Sequence, residues 1–214
     1  ISNNISIDET ITLDEILSQV LFPVQTSGAI TQLANHCEST VPKSNTKELT
    51  VQNSPTITPT NNDNDALFAL AEELFEKEDY NAAYEKYMIL AERGHHEAQY
   101  TLGLMFDMGC GVEEDKEKAY GWYKIAADAG YADGLLAAGN CLLNGTGTAA
   151  NPRAGLKLVK SAADKNHGGA LYNLAFLYYH GNVVEHSISK AKELIGKAAK
   201  AGFERAVYIQ CYWD

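Results

Sequence analysis

Few residue clusters in this chain have the types and spacing that chemistry needs. His95-His96-Glu97 combines two imidazoles with a carboxylate. A metal needs side chains that converge, and adjacent residues on a helix point in different directions, so the triplet reads as a helix-start feature. His180 and His186 flank one loop and can meet, but no third ligand accompanies them. Gly145-Thr-Gly-Thr148 has the composition of a phosphate loop, yet no Lys-Ser or Lys-Thr follows it. Asp115, Lys118 and Asn151 read as loop and cap residues. Serine, cysteine and paired-carboxylate combinations lack any surrounding motif. No catalytic residue, metal or cofactor is therefore assigned.

The four cysteines are Cys37, Cys110, Cys141 and Cys211, and their spacings match no zinc pattern. In the helical register described below, Cys110 ends one helix and Cys141 sits midway along another. Their Cα atoms then lie beyond the roughly 7 Å that a disulfide spans. The expectation is unpaired, buried thiols in a reducing compartment.

Composition narrows the function classes. The chain has 214 residues, of which 45% are hydrophobic and 21% charged, with a net charge of -11. Enough apolar side chains are present for a sizeable core. The acidity argues against phosphate backbones and anionic lipid surfaces as main ligands. No apolar run of about 18 residues exists, so no membrane insertion is expected. A cytoplasmic location follows, with a periplasmic one as the alternative if a leader was removed before Ile1.

The elements that must position these residues come from an internal repeat. Residues 98–130 carry a pattern that returns after a shift of 36 and again after a second shift. Ala83, Ala119, Gly155 and Ala191 share one register, and Ala91, Ala127, Ala163 and Ala199 share another. Small residues there let helices approach closely. Gly94, Gly130 and Gly202 share a third register with Asn166, which predicts left-handed helix stops. The unit at 66–94 is tighter, its helices joined through Glu78-Asp79-Tyr80, and the chain closes on half a unit that caps the array.

Upstream, residues 1–37 form an N-terminal segment. Thr12 and Glu15 make a capping box. Leu13, Ile16, Leu17, Val20 and Leu21 then fall on one face of an amphipathic helix over 13–22, which Pro23 ends. Ala29, Ile30, Leu33, Ala34 and Cys37 repeat the pattern more weakly. Residues 38–64, rich in Ser, Thr, Asn and Pro, read as a flexible linker, and residues 65–214 as the repeat domain.

The positions Ala98, Leu102-Gly103, Phe106, Gly109, Gly111-Val112, Asp115, Lys118-Ala119, Trp122, Lys124, Ala126-Ala127 and Gly130 resemble those of the Sel-one-like repeat family, relatives of tetratricopeptide repeats. The likeness covers about 65–214, with 134–166 degenerate and 170–202 lacking the second loop glycine. It implies an all-α fold: a right-handed α-solenoid of antiparallel helix hairpins. It implies a bacterial or eukaryotic adaptor or scaffold that holds other proteins. Some relatives resemble immunity proteins that block a toxin, which stands as one alternative. A hydrolase of cell-wall or β-lactam substrates stands as another, although the paired cysteines of the disulfide-rich relatives are missing.

In such hairpin arrays the first helix of each pair lines a concave face. By tetratricopeptide geometry the outward positions are Phe68, Glu72, Phe75 and Glu76; Tyr100, Leu104, Asp107 and Met108; Leu136, Asn140, Leu143 and Asn144; Tyr172, Phe176, Tyr179 and His180; and Tyr208 and Tyr212. A face so rich in aromatics suits a partner, or else is buried by tight winding between units. The matching ligand is a peptide or helix with basic flanks. The chain's own 13–22 helix is one candidate, docking in cis or giving self-association, and recruitment of a separate protein is the other.

Overall fold

The computed structural model describes residues 61–213, which form nine α-helices with no strand among them. The helices predicted at 13–22 and 29–37, and most of the 38–64 linker, lie outside the described residues, as does the side chain of Tyr212. Among the described residues the chain divides into two compact units at Lys165/Asn166.

Residues 61–165 hold three hairpins: α1 (Asn61–Glu76) with α2 (Tyr80–Glu92), α3 (His96–Met108) with α4 (Lys116–Asp128), and α5 (Ala132–Asn144) with α6 (Pro152–Asp164). Helix α1 begins at Asn61, inside the stretch read as linker. Each second helix starts at a capping side chain. Asp79, Asp115 and Asn151, at intervals of 36, accept hydrogen bonds from the backbone N–H groups of Ala82, Lys118 and Ala154 at 3.2, 2.9 and 3.1 Å. Such a cap stabilises a helix by about 1 kcal/mol because it satisfies a donor that the first turn leaves orphaned. Pro152 at the first turn of α6 has no N–H that would need an acceptor.

The helices end as the register predicts. Gly94 and Gly130 take φ of 83° and 80°. Behind each, the next residue's N–H reaches back to the helix: His95 to the Leu90 carbonyl and Tyr131 to that of Ala126, both at 3.0 Å. Small residues set the helix spacing. Ala83 and Ala119 are buried. A Cβ at Gly103 would stand 2.4 Å from the Tyr123 ring, and one at Gly155 would stand 2.7 Å from the Gly139 carbonyl. Leu90, Leu102, Met105, Leu136 and Val159 fill the remaining interior.

The longer loops perform a second task. The Asp115 N–H bonds the Phe106 carbonyl at 2.9 Å, and the Asn151 N–H bonds that of Leu142 at 2.7 Å, closing each loop. The second loop glycine then lies against the previous hairpin. A Cβ at Gly111 would meet the Tyr80 backbone at 2.7 Å, and one at Gly147 would meet the Lys116 carbonyl at 1.8 Å. Gly145-Thr-Gly-Thr148 is therefore an inter-repeat contact, not a phosphate cradle.

Residues 166–213 repeat the plan with α7 (Gly168–His180), α8 (Ile188–Lys200) and α9 (Glu204–Trp213). Asn166 is left-handed at φ 60°, as its register predicts, and Gly202 at φ 83°. Ser187, next in the capping register, accepts from the Lys190 N–H at 3.4 Å. Ala191, Ile195, Ala198, Ala206 and Ile209 make the α8–α9 core.

Candidate functional site

The histidines have local partners. His95 is the N-cap of α3, its Nδ1 accepting from the Ala98 N–H at 3.2 Å. His96 Nδ1 lies 3.4 Å from Gln99 Oε1. In the second unit, His180 and His186 bracket Tyr179. The His180 ring lies 5.2 Å from the Tyr179 ring, and His186 Nδ1 lies 2.6 Å from the Tyr179 carbonyl. Among the described residues no group of three His, Cys, Asp or Glu side chains converges on a metal position.

In residues 61–165 the first-helix face is layered. Phe68 and Phe75 of α1 are half-buried, and Glu72 and Glu76 are exposed. Tyr100 and Leu104 of α3 and Leu136 of α5 are buried. Asp107, Met108, Asn140 and Leu143 are half-buried, and Asn144 is exposed. The face is thus less open than a row of outward aromatics. In residues 166–213 the same holds: Tyr172 is buried, Phe176 and Tyr179 are half-buried, and His180 and Tyr208 are exposed.

Ring packing accounts for the inner layer. Phe68 stacks on His95 with centroids 4.7 Å apart, Tyr100 packs on Tyr131 at 5.9 Å, and Tyr172 on Phe203 at 5.1 Å. Each partner ring opens the next hairpin in the chain. His95, Tyr131, His167 and Phe203 fall at intervals of 36. This ring position escapes a search for repeated identities because it keeps a flat side chain, not one residue type. Tyr100 also packs on Tyr123 at 5.7 Å, so its ring serves as mortar between hairpins.

The exposed rim of this unit is acidic. The Glu72 carboxyl is pushed above its usual range, first by burial and then by Glu97 and Glu76. Glu97 is pushed up by burial and by Asp133. The Tyr87 and Tyr131 phenols rise for the same reasons, burial first and then the carboxylates of Glu72 and Glu97 for Tyr87, and of Asp133 and Glu97 for Tyr131. Carboxylates from α1, α3 and α5 thus feel one another across the face. Asp107 is engaged differently: Lys116 Nζ pairs with its carboxylate at 3.0 Å, and the Tyr123 hydroxyl donates to it at 3.4 Å. Glu97 and Asp133 are 36 residues apart, so their role on the rim was within reach of the register.

Cys141 is buried and Cys211 exposed, and both are free thiols. Cys110 is buried at 1% exposure and is disulfide-bonded. The expectation of unpaired cysteines is therefore corrected for Cys110. The reasoning that kept Cys110 and Cys141 apart stands, since Cys141 is free.

These features define a class: an α-helical hairpin-repeat protein of the solenoid type, its recurring positions occupied by capping and stacking residues. A family model described as Sel1 repeat matches residues 96–131, 132–167 and 169–203, half of the chain. The chain belongs to the Sel1 repeat family, whose members are in general non-catalytic scaffolds for protein–protein interaction. Among solved structures it is similar to a Sel1 repeat protein from Oxalobacter formigenes, at 28% identity and TM-score 0.60, covering 65% of this chain and 56% of that one. It is also similar to a protective antigen of uropathogenic Escherichia coli strains with an SLR fold, at 25% identity and TM-score 0.61, covering 68% of this chain and 32% of that one. The chain thus spans about half the first structure and a third of the second. An immunity protein from Pseudomonas aeruginosa aligns at 21% identity and TM-score 0.40 over 70% of each chain. A search of curated proteins gives no significant match. No helix among the described residues is long and apolar enough to cross a membrane.

Proposed function

We propose that this chain is a non-enzymatic adaptor that binds a peptide or helix of another protein on the first-helix face of residues 61–165. The partner presents apolar side chains to Phe68, Phe75, Met108 and Leu143, with Lys or Arg beside Glu72, Glu76 and Glu97. The observation that carries this reading is the mutual influence of the rim carboxylates. Glu72 and Glu97 hold their protons more tightly than free glutamates because burial and neighbouring carboxylates oppose their charge. A cation placed between them would relieve that opposition. The half-buried phenylalanines of α1 would supply the apolar contact that a rim charge alone does not.

The experiment is affinity purification followed by binding titration of the recovered partner. Phe68→Ala with Phe75→Ala should weaken binding by at least tenfold. Glu72→Gln with Glu97→Gln should weaken it less, and should flatten its dependence on salt. Circular dichroism on each variant checks that the hairpins remain folded. Unchanged affinity in both folded variants overturns the assignment of this face.

A further inference from the structure

We propose that residues 166–213 carry a carboxylate-binding site, in which the Tyr172 hydroxyl of α7 and the Arg205 guanidinium of α9 hold one carboxylate of a peptide ligand. The site stands on these residues alone and does not depend on the first-helix face of residues 61–165.

Tyr172 is 3% exposed. Its hydroxyl is the one buried side-chain oxygen or nitrogen without a hydrogen-bond partner among the described residues. Such burial is unfavourable, because the hydroxyl gives up its hydrogen bonds to water and gains none in return. The scaffold does not require it. The corresponding positions around the first hairpin are Phe68, His95 and Glu97, where two rings stack with no hydroxyl between them.

A second copy shows which group completes the hydroxyl. Tyr100, Tyr131 and Asp133 match Tyr172, Phe203 and Arg205 after two intervals of 36. In both sets the phenol packs on the ring that opens the next hairpin, at 5.9 and 5.1 Å. In both, the residue two places past that ring sets the charge beside the phenol. Burial and then Asp133 lift the Tyr100 phenol. Burial also lifts the Tyr172 phenol, but Arg205 opposes the lift. The charge is thus inverted between the copies. A carboxylate can accept a phenol's proton, whereas a guanidinium has donors and no acceptor. Tyr172 and Arg205 therefore offer donors only, and an anionic acceptor satisfies both. The flat edge of a guanidinium suits the two coplanar oxygens of a carboxylate. Phe176 lies one turn further along α7 and is half-buried, so it seats an apolar side chain next to that carboxylate. Arg205 is exposed, and its long side chain turns to carry the anion in to the hydroxyl.

NMR titration of the full chain tests this with small probes. N-acetylphenylalanine offers a terminal carboxylate, N-acetylaspartyl-phenylalaninamide offers a side-chain carboxylate, and N-acetylphenylalaninamide offers none. At least one of the first two should saturably shift the Tyr172 ring and Arg205 Nε–H signals, and the one that does so identifies the source of the carboxylate. The neutral amide should leave them in place. Tyr172→Phe keeps the ring and removes only the hydroxyl. It should weaken carboxylate binding by about tenfold or more, yet melt no lower than the parent, since it removes an unsatisfied buried group. Arg205→Gln should weaken binding by a similar factor. The proposal is overturned by equal binding of the neutral amide, by tighter binding of inorganic phosphate than of either carboxylate, or by no saturable shift with any probe. It is equally overturned if Tyr172→Phe binds as the parent does or melts below it.

Discussion

Gly147→Ala against Gly94→Ala isolates what holds one hairpin to the next. Both glycines have positive φ, 66° and 83°. A left-handed backbone costs an L-residue about 1–2 kcal/mol, and alanine recovers about 0.4–1 kcal/mol by stiffening the unfolded chain. Gly94→Ala should therefore cost between about 0 and 1.6 kcal/mol, since nothing lies within 4 Å of its added Cβ. At Gly147 the added carbon would stand 1.8 Å from the Lys116 carbonyl oxygen and 2.4 Å from the carbonyl carbon. Neither atom is a flexible side-chain end. The loop and the first turn of α4 must separate, which adds about 1–3 kcal/mol in the manner of overpacking. For a chain of this size each kcal/mol is worth about 2–4 °C in Tm. Gly147→Ala should lower Tm by about 2–18 °C and Gly94→Ala by about 6 °C or less, with Gly147→Ala always the larger of the two. Amide exchange should show faster opening at the start of α4 in Gly147→Ala alone. Equal losses in the two variants would refute the claim that the second loop glycine is an inter-repeat contact.

Two further outcomes follow from the titrating groups. Glu72 and Glu97 bind protons more tightly in the folded chain than in the unfolded one, so their contribution to stability is present at low pH and is lost as pH rises through the raised folded values. Glu72→Gln with Glu97→Gln should therefore melt no lower than the parent at pH 7 and lose any advantage near pH 4; a larger loss at pH 7 than at pH 4 contradicts the like-charge reading. Burial pushes the Cys141 thiol up to about 11, and Cys211 is exposed. Iodoacetamide at pH 8 should label Cys211 at least about a hundredfold faster, the gap closing in denaturant. Comparable rates in the native chain would mean that α5 opens readily.

The second helices and their stops were legible because they depend on local chemistry. Capping needs a short side-chain oxygen before the helix, which Asp79, Asp115, Asn151 and Ser187 supply at a fixed interval. The left-handed stop needs Gly or Asn, and Asn166 kept the register when glycine did not. Exposure of Tyr100 and Tyr172 was not legible in the same way. Their burial is matched by rings about thirty residues further on, Tyr131 and Phe203, in a position where only ring shape is kept.

Positions that build the array recur, so whatever distinguishes one partner from another must sit where they do not. Glu72 on α1 corresponds in the hairpin register to Leu104 on α3 and Asn140 on α5, and Glu76 to Met108 and Asn144. The face therefore changes character in one direction across residues 61–165: carboxylates, then a buried leucine beside a half-buried methionine, then amides. On the proposed binding face, each step would favour a different ligand group, a cation at α1, an apolar side chain at α3 and a hydrogen-bonding backbone or amide at α5. A peptide with a basic end would be held in one orientation, because reversing it would set its cation against amides and leave Glu72 and Glu76 facing apolar surface. Exchanging Glu72 with Asn140 and Glu76 with Asn144 keeps the composition and net charge of the face while inverting its order. Loss of binding to the original peptide, with recovery by the peptide of reversed sequence, is the behaviour that a polar face requires and a merely sticky one does not.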